Sequence, residues 1–382
     1  MRIAFVTGSL VHGGAERQAI TLANRLAERG HDCHAVYVKN DPSQLARLRL
    51  PPRSIVRCLH AARYMDLRAL SHLHAFFQRI NPDVVLATNP YALMYAALAN
   101  AGAPLAVTLH STYLRALKEQ LQMLAYRPLF WRSACTVFVC ERQKRHWLRR
   151  GVFGRRNLVI YNGIDLEHWQ PLIGEPRAAG LRRLLGFADG DFVVGLSAVL
   201  RPEKNPVQLV EAVFRLWKKG VPAKALFIGD GPERDKVLQA ARNLGVADRV
   251  VISGFQEDVR PFVSVCDAVA LTSFTEAFSL AAIEAMALGR PVLHAEVGGA
   301  AEMIQSGHDG WLFPVGDTAT LVERLAALAD PVARARMGEN ARATVAQRFS
   351  ERAMVERYEQ MLSDLVSKRT QSGQLRKRAT AH

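Results

Sequence analysis

Apolar residues in this chain come in short runs, separated by longer stretches in which they recur every three or four positions. Ile3 to Thr7 is the first run, Gly8-Ser-Leu-Val-His-Gly-Gly14 a glycine loop, and Ala15 to Arg29 an amphipathic helix closed by Gly30. Further strands are predicted at His34–Val38, Ile55–Cys58, Asp83–Ala87, Leu105–Leu109 and Leu158–Tyr161, with one helix ending at Ile80 and another starting at Tyr91. Asn162-Gly-Ile-Asp165 is a turn sequence, and with Trp169, Pro171 and Pro176 it puts a domain junction between about residues 165 and 178. A second alternation follows: strands Phe192–Leu200, Lys224–Ile228, Arg249–Ser253 and Asp267–Leu271, helices ending at Lys219 and Asn243, and an Ala-rich helix over Ser279–Leu288 that Gly289 and Pro291 stop. Strands alternating with helices imply parallel sheets covered on both faces. The reading is therefore an α/β protein of two Rossmann-like units, residues 1–170 and 171–349, facing across a cleft. An amphipathic helix over 350–367 and a polar, basic, disordered tail over 368–382 complete it. Residues 84–114 lack Asp, Glu, Lys and Arg, a length that suits a membrane span, but Asn89-Pro90, Asn100, Gly102 and Pro104 divide them into strand, helix and strand.

Charge changes this picture through its placement. The formal net charge is +15, with Lys and Arg outnumbering Asp and Glu by 23 to 10 over residues 1–172, 22 against 25 over 173–365, and 5 to none thereafter. The first unit therefore calls for an anionic partner: a membrane surface, a phosphorylated acceptor or nucleic acid. Residues 113–156 hold eleven Lys or Arg against Glu119 and Glu141, interleaved with Tyr113, Tyr126, Phe130, Trp131, Trp147 and Phe153. That mixture suits an anionic lipid surface, and it also suits ordinary helix faces with the aromatics turned to the core. No nucleic-acid-binding motif accompanies it, so nucleic acid is not expected. The five cysteines are scattered without a Cys-x-x-Cys pair and the histidines form no His-Glu-x-x-His, so neither disulfides nor a metal is expected. Met1 leads into a strand without a signal-peptide pattern, which points to the cytoplasm.

The candidate chemistry gathers where strands end. Glu276 lies in the loop after the Asp267–Leu271 strand and Glu284 eight positions on, in the following helix. The N–H groups of Phe278, Ser279 and Leu280 at that helix start would hold a phosphate, Glu284 a ribose, and Glu276 the hydroxyls of whatever the phosphate carries. Two acids at this spacing would equally be a surface acid and a solvated helical acid. Arg201-Pro-Glu-Lys204-Asn205 follows another strand end and offers two cations to a diphosphate. Gly229-Asp-Gly231 and Gly298-Gly299 end two more strands, where glycine lets a nucleotide approach the backbone, and Gly13-Gly14 allows conformations closed to other residues. His110, at the end of its strand, is either a contact for a reacting sugar or a structural histidine.

These segments together resemble the group-1 glycosyltransferases of family 4, retaining enzymes of the GT-B fold. The resemblance rests on Gly13-Gly14-Ala-Glu-Arg17, Tyr161-Asn-Gly-Ile-Asp165, Arg201-Pro-Glu-Lys204-Asn205, Ile228-Gly-Asp-Gly-Pro232, Glu276 with Glu284, and Gly298-Gly299 with Glu302. It implies a UDP- or GDP-sugar held by the second unit, a glycan or lipid-linked acceptor held by the first, and a last helix that returns to the first. It assigns Lys204 to the diphosphate, Glu284 to the ribose and Glu276 to the donor sugar, with His110 beside that sugar and Gly14 approaching the donor. Val199 stands where many members have an arginine, which leaves Arg201 as its substitute. The expected activity is metal-independent retaining hexosyl transfer in polysaccharide or glycolipid synthesis, without a cofactor, on the cytoplasmic membrane face. The competing expectations are an epimerase or phosphorylase of the same fold, and a non-catalytic protein that binds anionic surfaces or nucleic acid.

Overall fold

The computed structural model describes residues 1–100, 102–111, 117–171 and 176–379. The chain divides into two compact units, residues 1–162 with the last helix from Arg352, and residues 163–351. In the first unit the strands are β1 (Arg2–Thr7), β2 (Asp32–Tyr37), β3 (Val56–Cys58), β4 (Val84–Thr88), β5 (Leu105–Leu109), β6 (Cys135–Phe138) and β7 (Arg156–Val159). Its helices are α1 (Gly14–Glu28), α2 (Leu67–Ile80), α3 (Asn89–Ala99), α4 (Leu117–Arg132) and α5 (Glu141–Leu148). The second unit holds β8 (Phe192–Ser197), β9 (Ala223–Ile228), β10 (Val250–Ile252), β11 (Ala268–Leu271), β12 (Val292–Ala295) and β13 (Gly310–Phe313). Its helices are α6 (Pro176–Leu184), α7 (Val207–Lys218), α8 (Arg234–Asn243), α9 (Arg260–Ser264), α10 (Leu280–Ala287), α11 (Ala300–Met303), α12 (Thr318–Ala327) and α13 (Pro331–Arg348), and α14 (Glu351–Ala379) closes the chain.

Both sheets are parallel, in the orders β3-β2-β1-β4-β5-β6-β7 and β10-β9-β8-β11-β12-β13. Each order reverses once, between β1 and β4 and between β8 and β11, and ligands of open α/β sheets sit beyond the carboxyl ends of such strands. Strands buried on both faces need apolar side chains on both, which is why β4 and β5 are buried at every position. One face of the first sheet packs Val6, Val85 and Val107 against Phe76, Leu93 and Phe130 of α2, α3 and α4. The other packs Ile3, Phe5 and Val84 against Leu22 and Leu26 of α1 and against Met354, Tyr358 and Leu362 of α14.

Several expectations need correction. Strand β6 lies outside the predicted elements; Cys-Thr-Val-Phe is a four-residue run, apolar except for Thr136, inside a basic stretch, and it is wholly buried. Of the aromatics that read as a surface, Tyr126, Phe130 and Trp147 are core residues, while Trp131 and Phe153 are exposed and Tyr113 lies outside the described residues. The units divide at Asn162/Gly163, before the predicted junction, because Ile164 already pairs with Ser350 of the second unit and the His168 carbonyl accepts from Arg260 at 2.8 Å. Residues 303–349, given no element from sequence, form β13, α12 and α13. Helix α14 runs to Ala379, through most of the predicted disordered tail, where Gln, Leu, Lys and Arg favour helix and proline is absent. Among the described residues no helix is long and apolar enough to cross a membrane.

Candidate active site

The carboxyl ends of β8 and β11, the two strands at the reversal of the second sheet, are stitched together by backbone. After β8 the chain turns through Arg201, whose N–H bonds the Val199 carbonyl at 2.8 Å, into a short 3-10 turn over Pro202–Lys204. Asn205 ends that turn in the left-handed region, at φ 47°. The Thr272 hydroxyl reaches the carbonyls of Lys204 and Asn205, at 2.8 and 2.9 Å, and the Phe274 N–H donates to the Glu203 carbonyl at 2.8 Å. This lacing sets the Lys204 ammonium against the Glu276 carboxylate as an ion pair, and the Ser273 hydroxyl donates to the same carboxylate oxygen at 3.1 Å. Burial pushes the Glu276 carboxyl up, but the Lys204 charge and hydrogen bond, with smaller help from His294 and Ser273, hold it below its ordinary value. It is therefore a carboxylate at neutral pH. A cavity of about 20 Å³, lined by Ser197, Lys204, Thr272, Ser273, Glu276 and Ser279 among others, lies beside the pair.

Helix α10 starts as predicted, with Ser279 as its N-cap accepting from the Ala282 N–H at 3.4 Å. Phe278 is buried and meets Phe349 edge-on at 5.5 Å. Glu284 is 4% exposed, which excludes the solvated helical acid. Burial and the Arg260 charge lower the pKa of the nearby His168 ring, and Asp258, Asp165 and, least of the three, Glu284 oppose them. Beneath the Glu276 loop Gly298 has φ 50°, and a Cβ there would sit 2.0 Å from the Glu276 carbonyl oxygen; the Gly299 N–H bonds the Ala277 carbonyl at 2.8 Å.

Two glycine readings change. Gly229 and Gly231 do have positive φ, 145° and 155°, but a Cβ on either would strike backbone of Ala198 or Leu200. They let the Val199 turn pack closely, which is a different use from admitting a nucleotide. Gly13 has φ −161°, open to any residue, and Gly14 is the exposed first residue of α1. Neither needs glycine for its conformation. Arg201 is exposed, and among the described residues no carboxylate pairs with it.

His110 and Gly14 belong to the first unit. His110 follows β5, and its N–H bonds the side-chain oxygen of Asn89 at 3.1 Å; Asn89 itself adopts φ 68° at the end of β4. Burial lowers the His110 imidazole to about 4, so the ring is neutral at neutral pH. Sequence reading missed Thr272, Ser273 and Asn89, which place the candidate residues, and also His294. His294 is fully buried in β12, with Nδ1 2.7 Å from the Ala295 carbonyl and no partner for Nε2 among the described residues. A histidine inside the apolar run Pro-Val-Leu-His-Ala was the available signal. Among the described residues no group of three or more His, Cys, Asp or Glu is arranged to hold a metal.

Two family models match the chain: Glycosyltransferase Family 4 over residues 12–168 and Glycosyl transferases group 1 over residues 181–344. N-acetyl-alpha-D-glucosaminyl L-malate synthase of Bacillus anthracis is 32% identical over 209 residues, 54% of this chain and 54% of that protein, so the match spans about half its length. The lipopolysaccharide core biosynthesis glycosyltransferase LpsE of Rhizobium meliloti (strain 1021) is 28% identical over 366 residues, covering 92% of this chain and 96% of LpsE. The crystal structure of HepE from Anabaena in complex with UDP superposes with a TM-score of 0.83 at 25% identity, covering 95% of this chain and 100% of that one.

Proposed function

The chain belongs to the GT-B glycosyltransferases of family 4, and from that membership we propose that it moves a sugar from a nucleoside-diphosphate sugar to a glycan or lipid-linked acceptor, with retention of anomeric configuration. The observation that carries this reading is the Lys204–Glu276 pair at the sheet reversal of the second unit, a partly buried carboxylate and a cation held by the strand ends themselves. Lys204 has the charge and position to meet the diphosphate as it leaves, and exposed Arg201 supplies a second cation in place of the residue replaced by Val199. With the N–H groups of Phe278, Ser279 and Leu280 they neutralise the leaving phosphate without a metal. Glu276, freed from Lys204 by that phosphate, accepts hydrogen bonds from donor-sugar hydroxyls, and Glu284 accepts those of the ribose. Gly14 and His110 serve the donor and the reacting sugar from the first unit. Front-face attack lets the leaving phosphate take the acceptor's proton, so neutral His110 need not act as a base.

UDP is the favoured nucleotide, since HepE binds it. LpsE supports an acceptor in cell-surface polysaccharide or glycolipid synthesis. Such an acceptor and the basic first unit support a peripheral seat at the cytoplasmic face of a membrane. The test is a screen of UDP-, GDP- and ADP-sugars with and without an added lipid-linked acceptor and with chelator present. Glycosyl transfer from one donor, insensitive to chelation, is expected. Glu276→Gln should then mainly lower turnover and Glu284→Gln mainly weaken nucleotide binding. Epimerisation without transfer, or two variants that behave like wild type, would overturn the assignment.

A further inference from the structure

Helix α4 has a face that the described fold leaves uncovered. Met123, Tyr126 and Phe130 point into the core, while Leu121, Leu124 and Trp131 are 56%, 46% and 48% exposed. At 3.6 residues per turn, positions 121, 124, 128 and 131 fall in one line along the helix. Pro128 fills the remaining place, so the line bears no charge along nearly three turns of a surface helix. At its end the Trp131 indole N–H bonds the Gly151 carbonyl at 2.9 Å, and its ring lies 6.1 Å from that of Phe153, itself 41% exposed. The same loop brings up exposed Arg149, Arg150 and Arg155, with Arg132 next to Trp131 on the helix. Among the described residues no carboxylate pairs with Arg132, Arg149 or Arg155.

An apolar stripe ending in a tryptophan whose N–H is already satisfied, with arginines around that end, matches the layering of a lipid monolayer: acyl chains, the interfacial zone, then phosphates. A second copy of the chain is a poor occupant, because a two-fold contact through this face would set the arginines against their own copies. We propose that α4 seats the protein on an anionic leaflet by insertion: Leu121, Leu124 and Trp131 enter the acyl boundary while Arg132, Arg149, Arg150 and Arg155 hold lipid phosphates. This rests on the peripheral membrane reading above and narrows it, since attraction of charge alone would require no buried apolar residue and would vanish at high salt.

The experiment uses the full chain and vesicles of phosphatidylcholine alone or mixed with phosphatidylglycerol, in low and high salt. Wild type is expected to sediment with the mixed vesicles and to keep part of that binding in high salt. Its fluorescence should shift to the blue on binding, and Trp131→Phe should remove that shift. Leu121→Ser with Leu124→Ser, both at exposed positions and so compatible with an unchanged melting temperature, should lower partitioning by at least about tenfold and abolish the salt-resistant part. If that double variant binds like wild type while Arg149→Glu with Arg150→Glu does not bind, the seat is electrostatic and insertion is wrong, although the peripheral reading stands. Failure of wild type to bind anionic vesicles would overturn both. A wild-type dimer that the serine variant dissociates would show that a second copy covers the stripe, and would also overturn the proposal.

Discussion

Lys204 and Glu276 neutralise one another in a partly buried pocket, so a change to either is felt by the other. Lys204→Ala removes a charge-assisted bond to the proposed diphosphate and should weaken donor use by about 1.5–3 kcal/mol, roughly ten- to hundredfold. It should fold, because the side chain lies at a strand end rather than in the core. Unchanged nucleotide-sugar affinity and turnover would sink the assignment. Glu276 has its pKa depressed in the fold, so the stability it contributes is present above the ordinary carboxylate range and lost as pH falls through the lower folded value. Removing Lys204 leaves burial, which pushes the carboxyl up, as the dominant influence, so the Glu276 contribution should reverse sign: as pH is lowered through the acidic range the Lys204→Ala variant should lose less melting temperature than wild type, and a steeper acid loss in the variant would contradict the pairing. His110 follows the same sign for a different reason. Its pKa is lowered from 6.5 to about 4 by burial, so its stabilising effect is complete above 6.5 and lost between there and about 4. The His110 ring should show no titration near pH 6.5 by NMR; a midpoint there would contradict the burial described for it.

Among the elements, turns carry the site, and they do not all depend on glycine in the same way. Gly298→Ala must place a Cβ 2.0 Å from the Glu276 carbonyl at φ 50°, and neither the backbone it strikes nor the left-handed region gives way cheaply. We expect a stability loss of at least about 1–2 kcal/mol and a fall in transfer rate, because the Glu276 loop must shift. Gly13→Ala meets only the flexible end of the Glu16 side chain at an extended φ, and its stability should stay within about 0.5 kcal/mol of wild type. Chemical denaturation of the two variants side by side checks the contrast; equal losses would refute the backbone argument. Strand β6 illustrates the reverse difficulty at this scale. Four residues, three of them apolar, in a basic stretch satisfy a strand and a helix face equally, and only the neighbouring strands β5 and β7 decide.

At the scale of the molecule, α14 belongs to the first unit, where Leu362 is fully buried and Met354, Tyr358 and Met361 lie almost so. Leu362→Ala should therefore cost about 2–5 kcal/mol in denaturant unfolding. A loss under about 1 kcal/mol would mean that the helix contributes little to the unit. His31 and Arg29, on the loop after α1, hold Glu359 of α14 at 2.6 and 2.8 Å, so the helix is fixed by charge as well as by apolar contact.

The sequence by itself determined the architecture, because parallel strands buried on both faces must be written as apolar runs and their helices as amphipathic stretches, and such patterns survive without knowledge of neighbours. It also marked the candidate turns, since Glu276, Lys204 and the paired glycines all follow such runs. Only the tertiary structure decided what each residue does there. It showed Lys204 paired with Glu276 by way of Thr272 and Ser273, buried Glu284 inside α10, turned Gly229 and Gly231 against the Val199 turn, and divided the aromatics of residues 117–156 between core and surface. Each of these depends on which distant strand end lies alongside. A side chain's partner across a parallel sheet is set by strand order, and strand order leaves no mark on the local pattern of a single strand.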